Sequence, residues 1–369
     1  MTGPDLVIDT PAALAAFTEQ VQGQSWLTLD TEFFREKTYH ARLCLIQIAT
    51  ADQVACIDPL ALESTPEPLL ALFRDPTIVK VLHSAGQDME VLWQRYRQLP
   101  CPVFDTQIAA ALLGHGEQIG YAALVKAELD IELDKSQTRT DWSRRPLSAA
   151  QLAYAADDVR HLRTLYQRQR QQLQQTGRLD WHQQDCEVLC DSQRYQPDPD
   201  QAWLRIKGRR RFDSRQQAVL QALAGWRERQ AIKRDLPRKW VVGDDVLLEL
   251  ARLQPTNRQE LAAISGFDAR SRGRYGDDLL TVIDQTGTDD SVTTQPTEPY
   301  EPDPRQVKAL MQQVQQRAAE LGVSASILAT RSDIERLLAG ERSGPVCRGW
   351  RAEVIGDALL RRIATAGPD

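Results

Sequence analysis

The run Trp26-Leu27-Thr28-Leu29-Asp30-Thr31-Glu32-Phe33-Phe34 sets two carboxylates two residues apart within an apolar stretch. Its composition predicts a strand, and side chains at i and i+2 of a strand point to the same face. Asp30 and Glu32 then converge where two uncompensated charges are costly. A cation relieves that cost, and grouped carboxylate oxygens suit Mg²⁺ or Mn²⁺ better than zinc. Two exposed acids beside a strand end explain the same letters, and this stretch alone does not separate the two readings.

The surrounding pattern predicts an α/β domain over residues 1–175. A short helix at 11–22, opened by Pro11, precedes three closely spaced strands, Trp26–Phe34, Arg42–Ala49 and Gln53–Ile57, whose short connections predict hairpin pairing. A fourth strand at Ile78–His83 leads through Gly86 into a helix from Gln87 to about Arg97, and further helices follow at Thr106–Leu113 and Gly120–Glu128. Ser148 and Gln151 form a capping box after Pro146, and Leu152, Ala155, Val159, Leu162 and Tyr166 continue as one apolar stripe. Residues 176–204 read as a linker helix, ending in Gln196-Pro197-Asp198-Pro199-Asp200. All-helical patterns occupy 205–290 and 305–369, separated by a proline-rich linker at 291–304. The two helical modules are of similar size and pattern, which suggests that they are related.

Bulk properties narrow the functional classes. A chain of 369 residues exceeds one compact core. It lacks an apolar run of membrane-spanning length and begins without a secretory pattern, so a cytoplasmic protein is expected. The six cysteines are scattered and are expected to be reduced. A net charge of −6 argues against a globally basic nucleic-acid binder. Local basic strips nonetheless lie at Arg205, Lys207, Arg209, Arg210 and Arg211, and again at Lys233, Arg234, Arg238 and Lys239.

Three later residues join the opening pair. Asp88 follows the fourth strand near a helix start, and Tyr154 and Asp158 share a helix face one turn apart. Four acids meeting at one sheet edge would hold two divalent ions, an arrangement suited to phosphoryl transfer. Each also has a plainer explanation: Asp88 as a first-turn acid, Asp158 as a surface residue, Tyr154 as core. Asp105 competes as a ligand, but its place before a helix favours a cap.

The ordered set Asp30-x-Glu32, Asp88 and Tyr154-x-x-x-Asp158 resembles the three motifs of DEDD-superfamily exonucleases of the tyrosine subgroup. Within them the chain resembles the ribonuclease D family, through Cys44-Leu45-Ile46-Gln47, Ile57-Asp58-Pro59-Leu60, Phe104-Asp105-Thr106-Gln107, Leu133-Asp134-Lys135-Ser136 and Arg139-Thr140-Asp141-Trp142. The resemblance spans residues 5–175. Its middle motif carries His83 where the superfamily commonly has asparagine.

The resemblance implies a ribonuclease H-like mixed sheet flanked by helices, followed by two all-α HRDC-type domains. It implies a 3′→5′ exoribonuclease that trims tRNA precursors and other RNAs to nucleoside 5′-monophosphates. It also implies Asp30, Glu32, Asp88 and Asp158 as ligands of two Mg²⁺ or Mn²⁺ ions, with Tyr154 orienting water. RNA is the expected partner, with no membrane or obligate protein partner.

Lys135, Arg139, Trp142, Arg145, Arg209, Arg210 and Arg211 are candidate RNA contacts. Trp142 plugging a core edge and Arg145 pairing with an acid are equally open, and Gln47 is read as structural. A DNA 3′ exonuclease of proofreading type and a non-catalytic RNA-binding scaffold are the competing readings. The intact acid set weighs against the scaffold.

Overall fold

Residues 2–62, 66–134, 136–137, 140–287 and 302–366 are described by a computed structural model. They form two compact units, one of Met1–Phe34, Arg42–Tyr195 and Glu301–Asp369, the other of Arg35–Ala41 and Gln196–Tyr300.

The first unit is organised by a six-stranded mixed sheet. In chain order it contains β1 (Leu6–Ile8), α1 (Pro11–Gln20), β2 (Trp26–Phe34), β3 (Arg42–Ala49), β4 (Val54–Ile57), α2 (Glu67–Arg74), β5 (Val79–Leu82), α3 (Gly86–Tyr96), β6 (Val103–Asp105), α4 (Thr106–Leu112), α5 (Tyr121–Leu129), α6 (Ala149–Arg160), α7 (Leu162–Gln175) and α8 (Leu179–Glu187). The sheet order is β1-β4-β3-β2-β5-β6. The expected hairpins exist, since β2 pairs antiparallel with β3 and β3 with β4. Sequence reading missed β1 and β6, each of three residues and too short to show a period.

On its other side β2 runs parallel to β5, with the last partner pair at Thr28 and Val81. From Leu29 onward β2 pairs with β3 alone, and its register shifts between Glu32 and Phe33. This leaves one flank of the carboxylate-bearing half of β2 open beside the turn from β5 into α3. Such irregularities in a strand re-aim side chains and are frequent at functional sites.

The cysteine expectation is corrected for two of the six, while Cys44, Cys56, Cys186 and Cys347 are free thiols. Cys101, ahead of β6, and Cys190, beyond α8, are joined by a disulfide with their Cα atoms 6.1 Å apart. Nothing in the linear spacing of 89 residues announces that approach.

The second unit contains α9 (Ser214–Arg234), α10 (Arg238–Val241), α11 (Asp244–Leu253), α12 (Arg258–Ala262) and α13 (Ala269–Gly287). Val219, Leu223, Leu247, Leu250 and Leu279 lie in a core of its own. The expected proline-rich linker at 291–304 falls almost entirely outside the described residues.

The C-terminal helices are α14 (Pro304–Leu321), α15 (Ala325–Leu328), α16 (Arg331–Leu338), α17 (Gly349–Arg351) and α18 (Asp357–Ala366). Their spacing repeats that of α9 to α11. In both sets the short four-residue helix starts four residues after the long helix ends, and the third helix starts six residues after the short one. Unlike α9 to α13, these helices share a core with the sheet domain. Val314, Leu337 and Trp350 belong to one apolar cluster with Val81, Phe104 and Leu165. Trp350 stacks on Trp181 with ring centroids 4.5 Å apart, and its indole N–H donates to Asp185 at 3.1 Å. Asp185 also takes a two-pronged ion pair from Arg351, at 2.6 and 2.9 Å.

This shared core makes a prediction. Trp350→Ala should cost about 3–5 kcal/mol, the usual range for emptying a buried tryptophan site. Hydrogen exchange during thermal unfolding should show β5 and α14 losing protection together at a lowered temperature. Separate transitions, with β5 unaffected, would contradict a common core.

Candidate metal centre

Asp30 and Glu32 lie on one face of β2, and the same alternation adds Thr28 to that face. The Thr28 hydroxyl is within reach of the Val159 carbonyl at 3.0 Å, fastening the end of α6 to the strand. The Ser148–Gln151 capping box opens α6 as expected, and such a cap contributes about 1 kcal/mol. Asp158 comes to the β2 carboxylates from the far end of this helix. One oxygen from each of Asp30, Glu32 and Asp158 lies within 4.8 Å of the others.

Asp88 arrives from the open flank of β2. It sits in the first turn of α3, and the Thr31 hydroxyl donates to its Oδ1 at 2.5 Å. The turn ahead of α3 is held by Asp105. That buried carboxylate accepts from the backbone N–H groups of Ser84 at 3.0 Å and Ala85 at 2.8 Å. It also caps α4 through Gln107 at 2.8 Å, so the cap reading of Asp105 holds. Ser84 adopts the left-handed φ of 58°, a conformation that needs such external support.

His83 has a defined place in this scaffold. Its Nε2 donates to the Ile119 carbonyl at 3.0 Å, and its Nδ1 lies 2.9 Å from the Thr106 hydroxyl. Burial holds its pKa below the ordinary value, and the Thr106 hydroxyl it meets also donates to the Leu82 carbonyl at 3.1 Å. The segment it secures carries Tyr121. The Tyr121 hydroxyl donates to the Asp157 carbonyl at 2.8 Å. It occupies the carbonyl that a helical i to i+4 bond from His161 would use, and α6 ends there before α7 restarts. Tyr121 and Thr28 thus take the carbonyls on either side of Asp158.

The electrostatics follow from this gathering. Burial is the largest cause that raises the pKa of Asp30, and repulsion from Asp88, Asp158 and Glu32 adds to it. Glu32 is raised by the same combination of burial and neighbouring acids. Burial pushes Asp88 up to about 7, and burial with repulsion from Asp157 and Asp88 pushes Asp158 up to about 8. Among the described residues no cationic side chain forms an ion pair with any of the four. The amide of Gln47 reaches Asp30 at 3.4 Å, while its own Oε1 is buried without a partner among the described residues. A cluster of hard oxygen donors with unbalanced negative charge fits divalent cations.

The other candidates are distributed differently. Asp157, adjacent to Asp158, is ion-paired with Arg160. Tyr154 lies one turn before Asp158 and is half-buried, with its ring 6.1 Å from Trp142. Trp142 is buried among Cys44, Leu45, Cys56 and Ala155, so its ring has no free face for a base. Arg145 is held by Asp58 through two contacts at 2.6 and 2.8 Å, and it also donates to the Cys44 carbonyl at 2.6 Å. For these two, the core and ion-pair alternatives describe the observed contacts. Arg209 lies over Trp203 at 5.9 Å and Arg211 is exposed. Lys135, Arg139 and the side chain of Arg210 lie outside the described residues. Sequence reading missed Thr28, Thr31 and Tyr121; only Thr28 carried a signal, being two residues before Asp30.

Residues 6–174 match the family described as 3′-5′ exonuclease, and residues 216–283 match the HRDC domain. The chain is 39% identical over 371 residues to ribonuclease D of Acidiphilium cryptum, spanning 98% of this chain and 94% of the relative. It is 37% identical to ribonuclease D of Pseudomonas paraeruginosa, spanning 99% and 100%. The crystal structure of Escherichia coli RNase D superposes with a TM-score of 0.90 at 32% identity, covering 98% and 99% of the two chains.

Two expectations follow from the geometry. Carboxyls whose folded pKa is raised bind their protons more tightly when folded. The stability they contribute is present below their unfolded pKa near ~4 and is lost as pH rises through about 7 and 8 for Asp88 and Asp158. Ion-free protein should therefore weaken as pH climbs through that window. Thermal melts should show Mg²⁺, compared with EDTA, stabilising more at pH 8 than at pH 5; an equal gain at both would refute the charge argument. Tyr121→Phe should let the Asp157 to His161 helical bond close and move Asp158. Mn²⁺ affinity measured by calorimetry should then fall about tenfold, the lower end for loss of a residue supporting a ligand. Unchanged affinity would show that the inserted hydroxyl is incidental.

Proposed function

This chain belongs to the ribonuclease D family, and from that premise we propose that it trims the 3′ ends of tRNA precursors and other structured RNAs by two-metal-ion hydrolysis. It is a 3′→5′ exoribonuclease, a hydrolase. The Escherichia coli relative is described as an exoribonuclease involved in structured RNA processing, which supports the same substrate class here.

One observation carries the mechanistic reading: Asp30, Glu32 and Asp158 converge within 4.8 Å, with Asp88 fastened to the same strand through Thr31. Four carboxylates carry four negative charges, which two Mg²⁺ or Mn²⁺ ions balance. Asp30, Glu32, Asp88 and Asp158 would hold those ions. When bound, the ions lower the pKa of a water and offset the charge that builds on the phosphate oxygens. Tyr154 orients that water; phenols ionise near ~10, which suits orientation better than proton removal. The water oxygen bonds to phosphorus as the bond to O3′ breaks, and the water proton goes to O3′. A nucleoside 5′-monophosphate leaves, and the shortened RNA keeps a 3′-hydroxyl.

The second helical module, residues 305–369, is read as HRDC-like on the strength of its repeated helix spacing. The basic stretches at 205–211 and 233–239, including Arg209, Arg210 and Arg211, contribute phosphate contacts, as do Lys135 and Arg139. A cytoplasmic location accords with this substrate. Among the described residues no helix is long and apolar enough to cross a membrane.

Asp30→Asn should lower the rate of RNA hydrolysis by roughly 10³-fold or more, in the range for removing a charged stabiliser of the reacting centre. Its circular dichroism should match the parent. A near-parental rate in that variant would remove Asp30 from the mechanism. Matched RNA and DNA oligonucleotides, together with a tRNA precursor assayed with Mg²⁺ and with EDTA, test the substrate. Preference for the DNA strand would favour the proofreading-type alternative.

A further inference from the structure

Arg227 is a buried cation at a position where the helical module does not require one. It lies seven residues before the end of α9, and the equivalent position in α14 is Val314. Both are core positions, with Arg227 at 4% exposure and Val314 at 0%. The repeat thus folds with valine there, and a buried guanidinium is costly unless its donors are met. The Arg227 Nη1 donates to the Val242 carbonyl at 3.1 Å and to Asp244 at 2.6 Å. Its Nε–H is buried and has no acceptor among the described residues.

Arg227 lines a cavity of about 530 Å³, formed wholly by residues of the second unit. Arg35, Arg205, Arg238 and Lys239 also line it, against the acids Glu36 and Asp244. Asp244 is taken by Arg227, while Arg238 is held by Glu228 at 2.5 and 2.6 Å. Arg205 and Lys239 are exposed and their side chains form no hydrogen bond or ion pair among the described residues, although Arg205 is near enough to Glu228 to help lower that acid's pKa. The C-terminal module again differs. The first two residues of its short helix, which correspond to Arg238 and Lys239, are Ala325 and Ser326.

The remaining wall is the β2–β3 connection, Arg35–Ala41, which belongs to this unit. It is fixed there by specific contacts. Asp235 accepts from the backbone N–H groups of Tyr39 and His40 at 3.0 and 2.9 Å. The Tyr39 hydroxyl donates to Glu228 at 2.5 Å, and the Arg238 guanidinium lies 4.7 Å from the Tyr39 ring centre. The cavity is therefore built rather than left over between mobile side chains.

We propose that this cavity is a phosphate-binding site that seats the backbone of the RNA substrate, with Arg205 and Lys239 as its charged contacts and Arg227 as a buried donor. Guanidinium groups match phosphate oxygens in a forked geometry, and lysine adds a point charge. A volume of about 530 Å³ falls within the range of sites that take a nucleotide-sized group. The proposal rests on RNA being the substrate, as argued above. It adds a defined site confined to the first helical module.

The test uses the full chain in EDTA, so that binding is read without cleavage. A fluorescent single-stranded RNA is titrated by anisotropy across a KCl series. The double variant Arg205→Gln/Lys239→Gln should bind about tenfold more weakly, and the slope of log affinity against log salt should fall by about one to two. Arg227→Leu, which imitates the apolar C-terminal counterpart, should melt no lower than the parent yet lose affinity as well. Inorganic phosphate should compete with RNA in the parent but not in the double variant. Parental affinity and salt slope in the double variant would overturn the proposal. Poly-glutamate displacing RNA as well as phosphate does, at equal charge, would overturn it too, since the site would then read charge alone. Mg²⁺-dependent hydrolysis of an RNA dinucleotide by the parent tests the exonuclease reading separately, so the two can fail independently.

Discussion

Uncompensated negative charge around β2 is the constraint on which the first unit depends. Asp30, Glu32, Asp88 and Asp158 are close enough to raise one another's pKa values, and no cationic side chain among the described residues pairs with them. Left to itself such a cluster would spread or take up protons. The surrounding contacts resist spreading: Thr28 and Tyr121 fasten the end of α6, Thr31 fastens Asp88, and Asp105 fastens the turn that leads to it. The sheet topology provides the space, because β5 stops pairing with β2 at Thr28 and frees the flank that α3 then approaches.

The parts of this arrangement that were readable in sequence are those set by local periodicity. The i, i+2 relation of Asp30 and Glu32, the i, i+4 relation of Tyr154 and Asp158, and the Ser148–Gln151 box each need only strand or helix geometry. Contacts between distant segments were not readable. A tyrosine at the start of α5 gives no sign that its hydroxyl will enter a helix that begins some thirty residues later. Trp142 and Arg145 were ambiguous for a related reason. Aromatic and basic residues in a polar loop suit RNA or protein equally, until the fold brings Asp58 and the β3 residues against them.

The helical modules show how one backbone pattern supports two uses. The spacing of α9, α10 and α11 recurs in α14, α15 and α16, while the residues on it diverge. The C-terminal set has Val314, Ala325 and Ser326 where the first set has Arg227, Arg238 and Lys239, and its apolar surface merges with the sheet domain's core. Packing a helix pair requires only apolar residues at a few spaced positions. Faint sequence similarity between the modules is therefore what shared packing rules and separate surfaces would leave. The first set places an arginine at a core position, and no other core position among the described residues of the repeat holds one.

The acids of the first unit are sorted by the kind of partner each receives. Asp58 is given Arg145, Asp157 is given Arg160 and Asp185 is given Arg351. These pairs neutralise charge and close a fold contact. Around β2, by contrast, Asp88 receives the Thr31 hydroxyl and Asp30 the Gln47 amide, partners that fix position without supplying a positive charge. An arginine at any of these points would relieve the repulsion and, by the same act, compete with a cation for the carboxylate. The distinction between Asp157 and Asp158 is the clearest case: adjacent on α6, one is ion-paired with Arg160 and the other is set among acids with no cationic partner among the described residues. Positional restraint without neutralisation is what a divalent-ion site requires, and it explains why the site's supports are threonines and a tyrosine.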